Sequence, residues 1–272
     1  MDPKAYGHLT VAESKQDWLS RAIEDIEVLG YTVLPEVLDE TELKTVRERV
    51  DTLYARQEET FGAERLGAIG DASTARALLL HDDYFLRFAT HPSVLQLVSA
   101  LLGEYFILNL QNAILNNARG HPQTAWHRDL PYQEWVPSRP MAVNVLYALD
   151  DFTAASGGTL LLPFSHRLEK LPSWDFFERH QVVAEAPAGS ALVFNSWLVH
   201  RAGNNVSGRP RRAMNHLYTS PIIKQQYDFP RALKGKWSDD PQLARLLGYD
   251  SQIAEDDVAW RDRRTVRLSK DQ

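Results

Sequence analysis

The 272-residue chain is 44% hydrophobic and 24% charged, the balance of a globular protein able to bury a substantial core. Its formal charge of −6 argues against nucleic acid or an anionic membrane as a general partner, and the absence of cysteine removes disulfides, iron–sulfur clusters and thiolate-held zinc. No apolar run approaches the roughly 18 residues of a membrane span, and Met1–Thr10 lacks the basic start and apolar core of a signal peptide, so a cytoplasmic monomer or homodimer acting on a small molecule is expected.

Apolar residues at Trp18, Leu19, Ala22, Ile23, Ile26 and Leu29 follow helical spacing, and Gly30 is placed to end that helix. A short strand is predicted at Tyr31–Leu34. Asp39 with Glu42 three residues on forms a capping box for a second helix, whose core stripe is Leu43, Val46, Val50 and Leu53. Gly62–Asp71 is rich in glycine, alanine and acid and is expected to be a loop, followed by a helical patch through Leu78–Leu80 and Tyr84–Phe88. Proline in the first turn and Gly103 past the end frame a helix over Pro92–Leu102.

From Tyr105 the period changes. Phe106–Leu115, Met141–Leu149, Gly158–Leu162, Ser190–Phe194 and Arg212–Ser220 are β-prone runs separated by Gly, Pro, Asn and Asp. Helices first and strands after predict an α+β fold, a rolled antiparallel sheet packed on helices. A further helix fits Pro241–Leu247, and the end of the tail is polar.

The chemistry centres on Trp126-His127-Arg128-Asp129 and on His200. Residues two apart on a strand share a face and lie about 7 Å apart, so His127 and Asp129 can reach one point. A second imidazole, His200, completes two His and one carboxylate on one side of a metal, with the opposite positions open. His81-Asp82-Asp83 has the same spacing, but its helical flank points residues two apart roughly 200° apart, which rules out a chelate. Arg211 and Arg212 follow His200 across a Gly/Asn/Pro connection and face opposite ways, so only one can enter the cavity. If Arg211 does, Ala213, Asn215 and Leu217 go with it. A buried guanidinium there requires an anionic partner, such as the carboxylate of a co-substrate. Gln111 and Asn144 are inward candidates by strand alternation for further co-substrate contacts, and Tyr132 and Trp135 are candidates for the substrate side. His166 and His216 are expected to be structural.

Gly30-Tyr-Thr-Val-Leu-Pro-Glu-Val-Leu-Asp39, His91-Pro through Gly103, Trp126-His-Arg-Asp129, Gly157-Gly-Thr-Leu-Leu-Leu-Pro-Phe-Ser-His166, and His200 with Arg211 together resemble the phytanoyl-CoA dioxygenase family, in order over about residues 17 to 220. The resemblance implies an iron(II)- and 2-oxoglutarate-dependent dioxygenase with a double-stranded β-helix (jelly-roll or cupin-like) core. That is one domain over 1–272: a helical part to about 104, the core over about 105–222 and an extension over 223–272. It implies His127, Asp129 and His200 as catalytic iron ligands and Arg211 as the arginine on the distal carboxylate of 2-oxoglutarate. With oxygen, the expected outcome is hydroxylation of a small organic substrate with release of succinate and CO2. In halogenating relatives a small residue replaces the carboxylate ligand, whereas here Asp129 fills that position. Phe164 stands where the pattern expects glycine, and Ala202 cannot supply the hydroxyl some relatives place two after the second histidine. Substrate specificity is assigned to Gly62–Leu80, Leu130–Pro140, Leu168–His180 and the tail. Competing readings are a non-catalytic β-roll binding protein and a metal-dependent hydrolase or isomerase using the same triad.

Overall fold

The computed structural model describes residues 17–117, 125–130 and 135–270. Among the described residues nine strands and a set of helices follow one another. Helix α1 (Trp18–Val28) leads into β1 (Tyr31–Leu34), then α2 (Glu40–Phe61), α3 (Ala63–Ala68), β2 (Thr74–Ala75), α4 (Leu86–Ala89) and α5 (Pro92–Leu102). The strand-rich part runs β3 (Ile107–Asn116), β4 (Ala142–Ala148), β5 (Leu160–Leu161), α6 (Trp174–His180), β6 (Val182–Val183), β7 (Ala191–Asn195), β8 (His200–Arg201) and β9 (Arg211–Thr219). It ends with α7 (Phe229–Leu233), α8 (Pro241–Leu247) and α9 (Asp257–Lys270).

Local chemistry accounts for most of the helix ends. Asp17 caps α1 by accepting from the Ser20 amide at 2.9 Å. At α2 both arms of the capping box close: Asp39 accepts from the Glu42 amide at 2.8 Å, and Glu42 accepts from the Asp39 amide at 3.2 Å. The stripe Leu43, Val46, Val50 and Leu53 is buried, as its spacing predicts. One expectation of irregular chain is corrected, because α3 lies inside Gly62–Asp71; α6 also falls inside Leu168–His180 and α9 in the tail.

Two sheets form. A six-stranded sheet has the order β1-β7-β4-β9-β3-β2, and a three-stranded one the order β6-β5-β8; every pairing is antiparallel. The large sheet therefore recruits β1 and β2 from the helical third as its two edges. Alternation divides its faces cleanly. Val143, Val145 and Tyr147 of β4, Met214 and Tyr218 of β9, and Ala113 and Leu115 of β3 join the main core, which also holds the buried stripes of α1, α2 and α5. The opposite face presents Asn144 and Leu146, Asn215 and Leu217, and Leu110, Asn112 and Ile114 to a cavity. No helix among the described residues is long and apolar enough to cross a membrane.

Candidate active site

His127 and His200 meet as an antiparallel bridge, each amide donating to the other's carbonyl at 3.0 Å, while the Asp129 amide donates to Ser196 O at 3.2 Å. Backbone pairing alone thus places three side chains together. Candidate ligand atoms of His127, Asp129 and His200 lie within 4.8 Å of one another, the one such group of three among the described residues. His127 Nε2 is 3.7 Å from Asp129 Oδ1, and His200 Nε2 is 3.5 Å from Asp129 Oδ2.

The tautomers follow from the neighbours. His127 Nδ1 lies 2.9 Å from Ala125 O and His200 Nδ1 lies 3.0 Å from Leu198 O. A carbonyl only accepts, so each Nδ1 carries a proton and each Nε2 is the ring atom turned toward the shared point. Burial lowers the pKa of His200, against the opposing effect of the Asp129 carboxylate, which keeps the imidazole in its ligating form. Two imidazoles whose Nε2 atoms face one carboxylate, with an open cavity beside them, fit a divalent metal with free coordination positions.

Asn144 does face this cavity, but its amide is already engaged. Its Nδ2 donates to Asp129 Oδ2 at 2.6 Å and to Ser196 Oγ at 2.8 Å. It orients the carboxylate and leaves Oδ1 freer to ligate. Gln111 is a correction. It shares parity with Ala113 and Leu115 and lies on the helix side, where its Nε2 donates to Phe85 O at 2.8 Å and contacts His216 Nε2 at 2.6 Å. Strand alternation separates two faces without saying which is inward, and Gln111 is on the wrong one for the cavity.

Arg211 lines the cavity and is 3% exposed. Its Nη2 donates to Gly157 O at 2.8 Å, its guanidinium lies 4.5 Å above the Phe152 ring, and its Nε has no partner. No carboxylate among the described residues lies within ion-pair distance of it. Burial lowers its pKa to about 10, so it is still a cation at neutral pH. A buried, incompletely bonded guanidinium on the metal cavity fits a bidentate carboxylate ligand. Arg212 faces the other way and pairs with Asp51 at 2.7 Å and Asp150 at 3.0 Å.

The cavity has a volume of about 760 Å³. Trp135 lies on its wall, 47% exposed, with its ring 5.8 Å from that of Trp197. Tyr132 lies outside the described residues. Ala202 and Thr159 also line the cavity, so a hydroxyl is offered from β5's approach rather than from the residue after the second histidine strand. Arg128 was not singled out by its pattern. Pointing away from His127 and Asp129, it donates to Trp197 O at 2.9 Å, Ser165 O at 3.0 Å and Leu168 O at 2.5 Å, tying the ligand pair to two other segments. His166 and His216 are buried structural residues, as expected; burial takes His216 down to about 3.

A sheet packed on helices, with two imidazoles, a carboxylate and a buried arginine on one cavity, defines a metal-dependent enzyme that also binds an acid. Comparison with known proteins makes the class specific. Residues 26–213 match the model of the phytanoyl-CoA dioxygenase (PhyH) family, and the chain belongs to that family. It is an enzyme of the iron(II)- and 2-oxoglutarate-dependent oxygenase class. An uncharacterised protein of Mycobacterium tuberculosis is 35% identical over 245 residues, which is 86% of this chain and 88% of the relative. The Fe(II)/2-oxoglutarate-dependent dioxygenase nvfF of Aspergillus novofumigatus is 30% identical over 181 residues, 62% of this chain and 58% of that one. Among solved structures, the epimerase SnoN in complex with Fe3+, alpha ketoglutarate and nogalamycin RO superposes with a TM-score of 0.57 at 22% identity, covering 75% of this chain and 84% of SnoN. At that identity the likeness speaks for the fold.

Proposed function

We propose that this protein hydroxylates a small organic substrate, holding iron(II) through His127 Nε2, Asp129 and His200 Nε2. The carrying observation is the convergence of these three groups within 4.8 Å on the cavity that Arg211 also enters. In this reading the two sheets are the halves of a double-stranded β-helix. When bound, iron(II) with 2-oxoglutarate and oxygen supplies the oxidising chemistry, the co-substrate leaving as succinate and CO2.

The chain's own part is binding and orientation. Arg211 takes the distal carboxylate of 2-oxoglutarate, filling the hydrogen-bonding capacity that Gly157 O leaves open. Asn144 fixes the Asp129 carboxylate, and the Ala125 and Leu198 carbonyls fix the imidazoles. Leu110, Leu217 and Met141 keep the substrate side apolar. Because a carboxylate stands at position 129, chloride has no vacated ligand position, and hydroxyl is the expected group transferred.

The test is an iron(II) titration of the wild type and of His127→Ala, Asp129→Ala and His200→Ala, with succinate release followed across candidate substrates under oxygen-18 gas. Loss of iron affinity in each variant, and label in both succinate and product, are expected. Unchanged affinity in all three removes the site. A product that is chlorinated, or that is a stereoisomer with no added oxygen, replaces hydroxylation with another outcome.

A further inference from the structure

The cavity floor carries one polar row between apolar ones, and that row points to the substrate's chemistry, an inference that rests on the metal and co-substrate reading above. Antiparallel pairing of β3 with β9 sets the cavity-facing residues opposite one another: Leu110 faces Leu217, Asn112 faces Asn215, Ile114 faces Ala213 and Asn116 faces Arg211. On the other side of β9, Asn215 faces Leu146 of β4. Two asparagines therefore stand side by side, with Leu110 and Leu217 on one flank and Ile114 and Ala213 on the other. Directly opposite residues hold their Cβ atoms about 5 Å apart, so one small group can touch both amides.

Asn112 is 5% exposed, and its orientation is fixed from behind. Its Oδ1 accepts from the Ala77 amide at 3.1 Å and from the Tyr227 hydroxyl at 2.8 Å. A backbone amide only donates, so this atom is the oxygen, and the NH2 group is left for the cavity that Asn112 lines. Burial raises the pKa of Tyr227, which keeps the phenol protonated and donating. Asn215 has the opposite need. Its Oδ1 is buried on the same cavity and has no hydrogen-bond partner among the described residues. Asn109 and Asn144, also on the cavity, are already engaged, the first by Lys224 O and the Gln226 amide and the second by Asp129 and Ser196. The row also stands apart from the groups assigned to metal and co-substrate. Asn112 is two strands from Asn144, roughly 10 Å across the sheet, and Asn215 is two rows from Arg211, about 14 Å along β9.

We propose that the primary substrate is an apolar molecule carrying a neutral group that both accepts and donates, in its simplest form a hydroxyl, and that Asn112 and Asn215 select it. Asn112 Nδ2 donates to that group, and Asn215 Oδ1 accepts a hydrogen bond from it. A carboxylate or a ketone cannot donate to Asn215, and an ammonium cannot accept from Asn112. A purely apolar body laid over the row leaves both amides unpaired, which weakens binding by about tenfold or more.

The probes are 1-pyrenebutanol and its methyl ether, which share the ring body and differ in the donor. Binding of each is followed by pyrene fluorescence, without oxygen, to protein saturated with iron(II) and 2-oxoglutarate. The alcohol is expected to bind about tenfold more tightly than the ether, and Asn215→Leu to remove that preference by weakening the alcohol. Asn215→Ala, which removes the same amide without adding bulk, is measured beside it and is expected to do the same. Equal binding of the two probes by the wild type, or binding of neither, overturns the proposal. So does a preference that survives both substitutions. If the substitutions weaken 2-oxoglutarate binding in place of the alcohol, the row serves the co-substrate and the proposal falls. Iron and 2-oxoglutarate affinities of the wild type, titrated separately, report on the underlying site: their absence sinks the function proposed above, whereas their presence with no preference for the alcohol sinks only this inference.

Discussion

Asn144 and His216 show how much one buried side chain can carry. Asn144 is fully buried and spends its amide protons on Asp129 Oδ2 and Ser196 Oγ. Groups that orient a metal ligand typically change metal affinity by about 10–100-fold when removed. Asn144→Leu is therefore expected to weaken iron(II) binding by that range with little change in helix and sheet content by circular dichroism; unchanged affinity would exclude the orienting role. His216 sits between Gln111 and the rings of Tyr147 and Tyr218, at 5.2 and 6.2 Å. Burial takes it to about 3, while in the unfolded chain it titrates near 6.5. Below pH 6.5 the unfolded state thus binds a proton that the folded state refuses, so stability is full above that pH and falls as pH drops. The loss attributable to His216 is about 2 kcal/mol at pH 5. Urea unfolding at pH 7 and pH 5 should show a smaller drop for His216→Gln than for the wild type. Equal drops would mean the buried imidazole is not the source.

Among the elements, the turn after β5 carries a visible conformational cost. Phe164, where the family pattern has glycine, adopts φ 66° and ψ −10°, the left-handed region, and its side chain is 53% exposed. The hydrogen bonds that hold this turn use the backbone and Ser165: the Phe164 amide donates to Leu29 O at 3.0 Å, and the Val199 amide donates to Ser165 Oγ at 2.8 Å. They do not need the phenyl ring. Left-handed geometry costs an ordinary residue about 1–2 kcal/mol, partly offset by the greater unfolded-state freedom of glycine. Phe164→Gly is expected to stabilise the protein by up to about 1 kcal/mol in urea unfolding, with iron affinity unchanged; a loss of stability would show that the ring packs usefully. Close approach explains Gly157 and Gly203. A Cβ on Gly203 would collide with the Gly158 carbonyl oxygen, and one on Gly157 would meet Gly203 O at 2.7 Å, so at these two positions the crossing that presents Gly157 O to Arg211 leaves no room for a side chain.

For the whole molecule, ligand binding and folding are linked. A ligand present at a hundred times its Kd stabilises the folded state by about 2.7 kcal/mol, which for a chain of this length raises Tm by roughly 5 °C. Iron(II), and then 2-oxoglutarate on the iron-loaded protein, should each give such a step in thermal unfolding without oxygen. Arg211→Ala should keep the first step and lose most of the second. Arg212→Ala, which breaks the pairs with Asp51 and Asp150, should keep both while lowering the starting Tm. The reverse pattern would show that the strand faces the cavity with its other side.

The sequence by itself determined whatever depends on near neighbours or on chemical type. Asp17 and the Asp39–Glu42 box set helix starts, the Leu43–Leu53 stripe set a buried face, and the identity of His127, Asp129 and His200 set a donor suited to metal. The order of the motifs further tied Arg211 to the same centre. Tertiary structure alone decided what depends on distant partners. The pairing of Tyr31–Leu34 with β7 and of Thr74–Ala75 with β3 made two stretches of the helical third into sheet edges. Alternation in β3 gave Gln111 one of two faces, and the packing of the helices against Ala113 and Leu115 chose the one away from the cavity. Asn144 faces inward, yet its partner is Asp129, because the antiparallel bridge of His127 with His200 brings that carboxylate over β4. A side chain's type is written in the chain; the face it presents and the atom it meets are set by contacts between residues far apart in sequence.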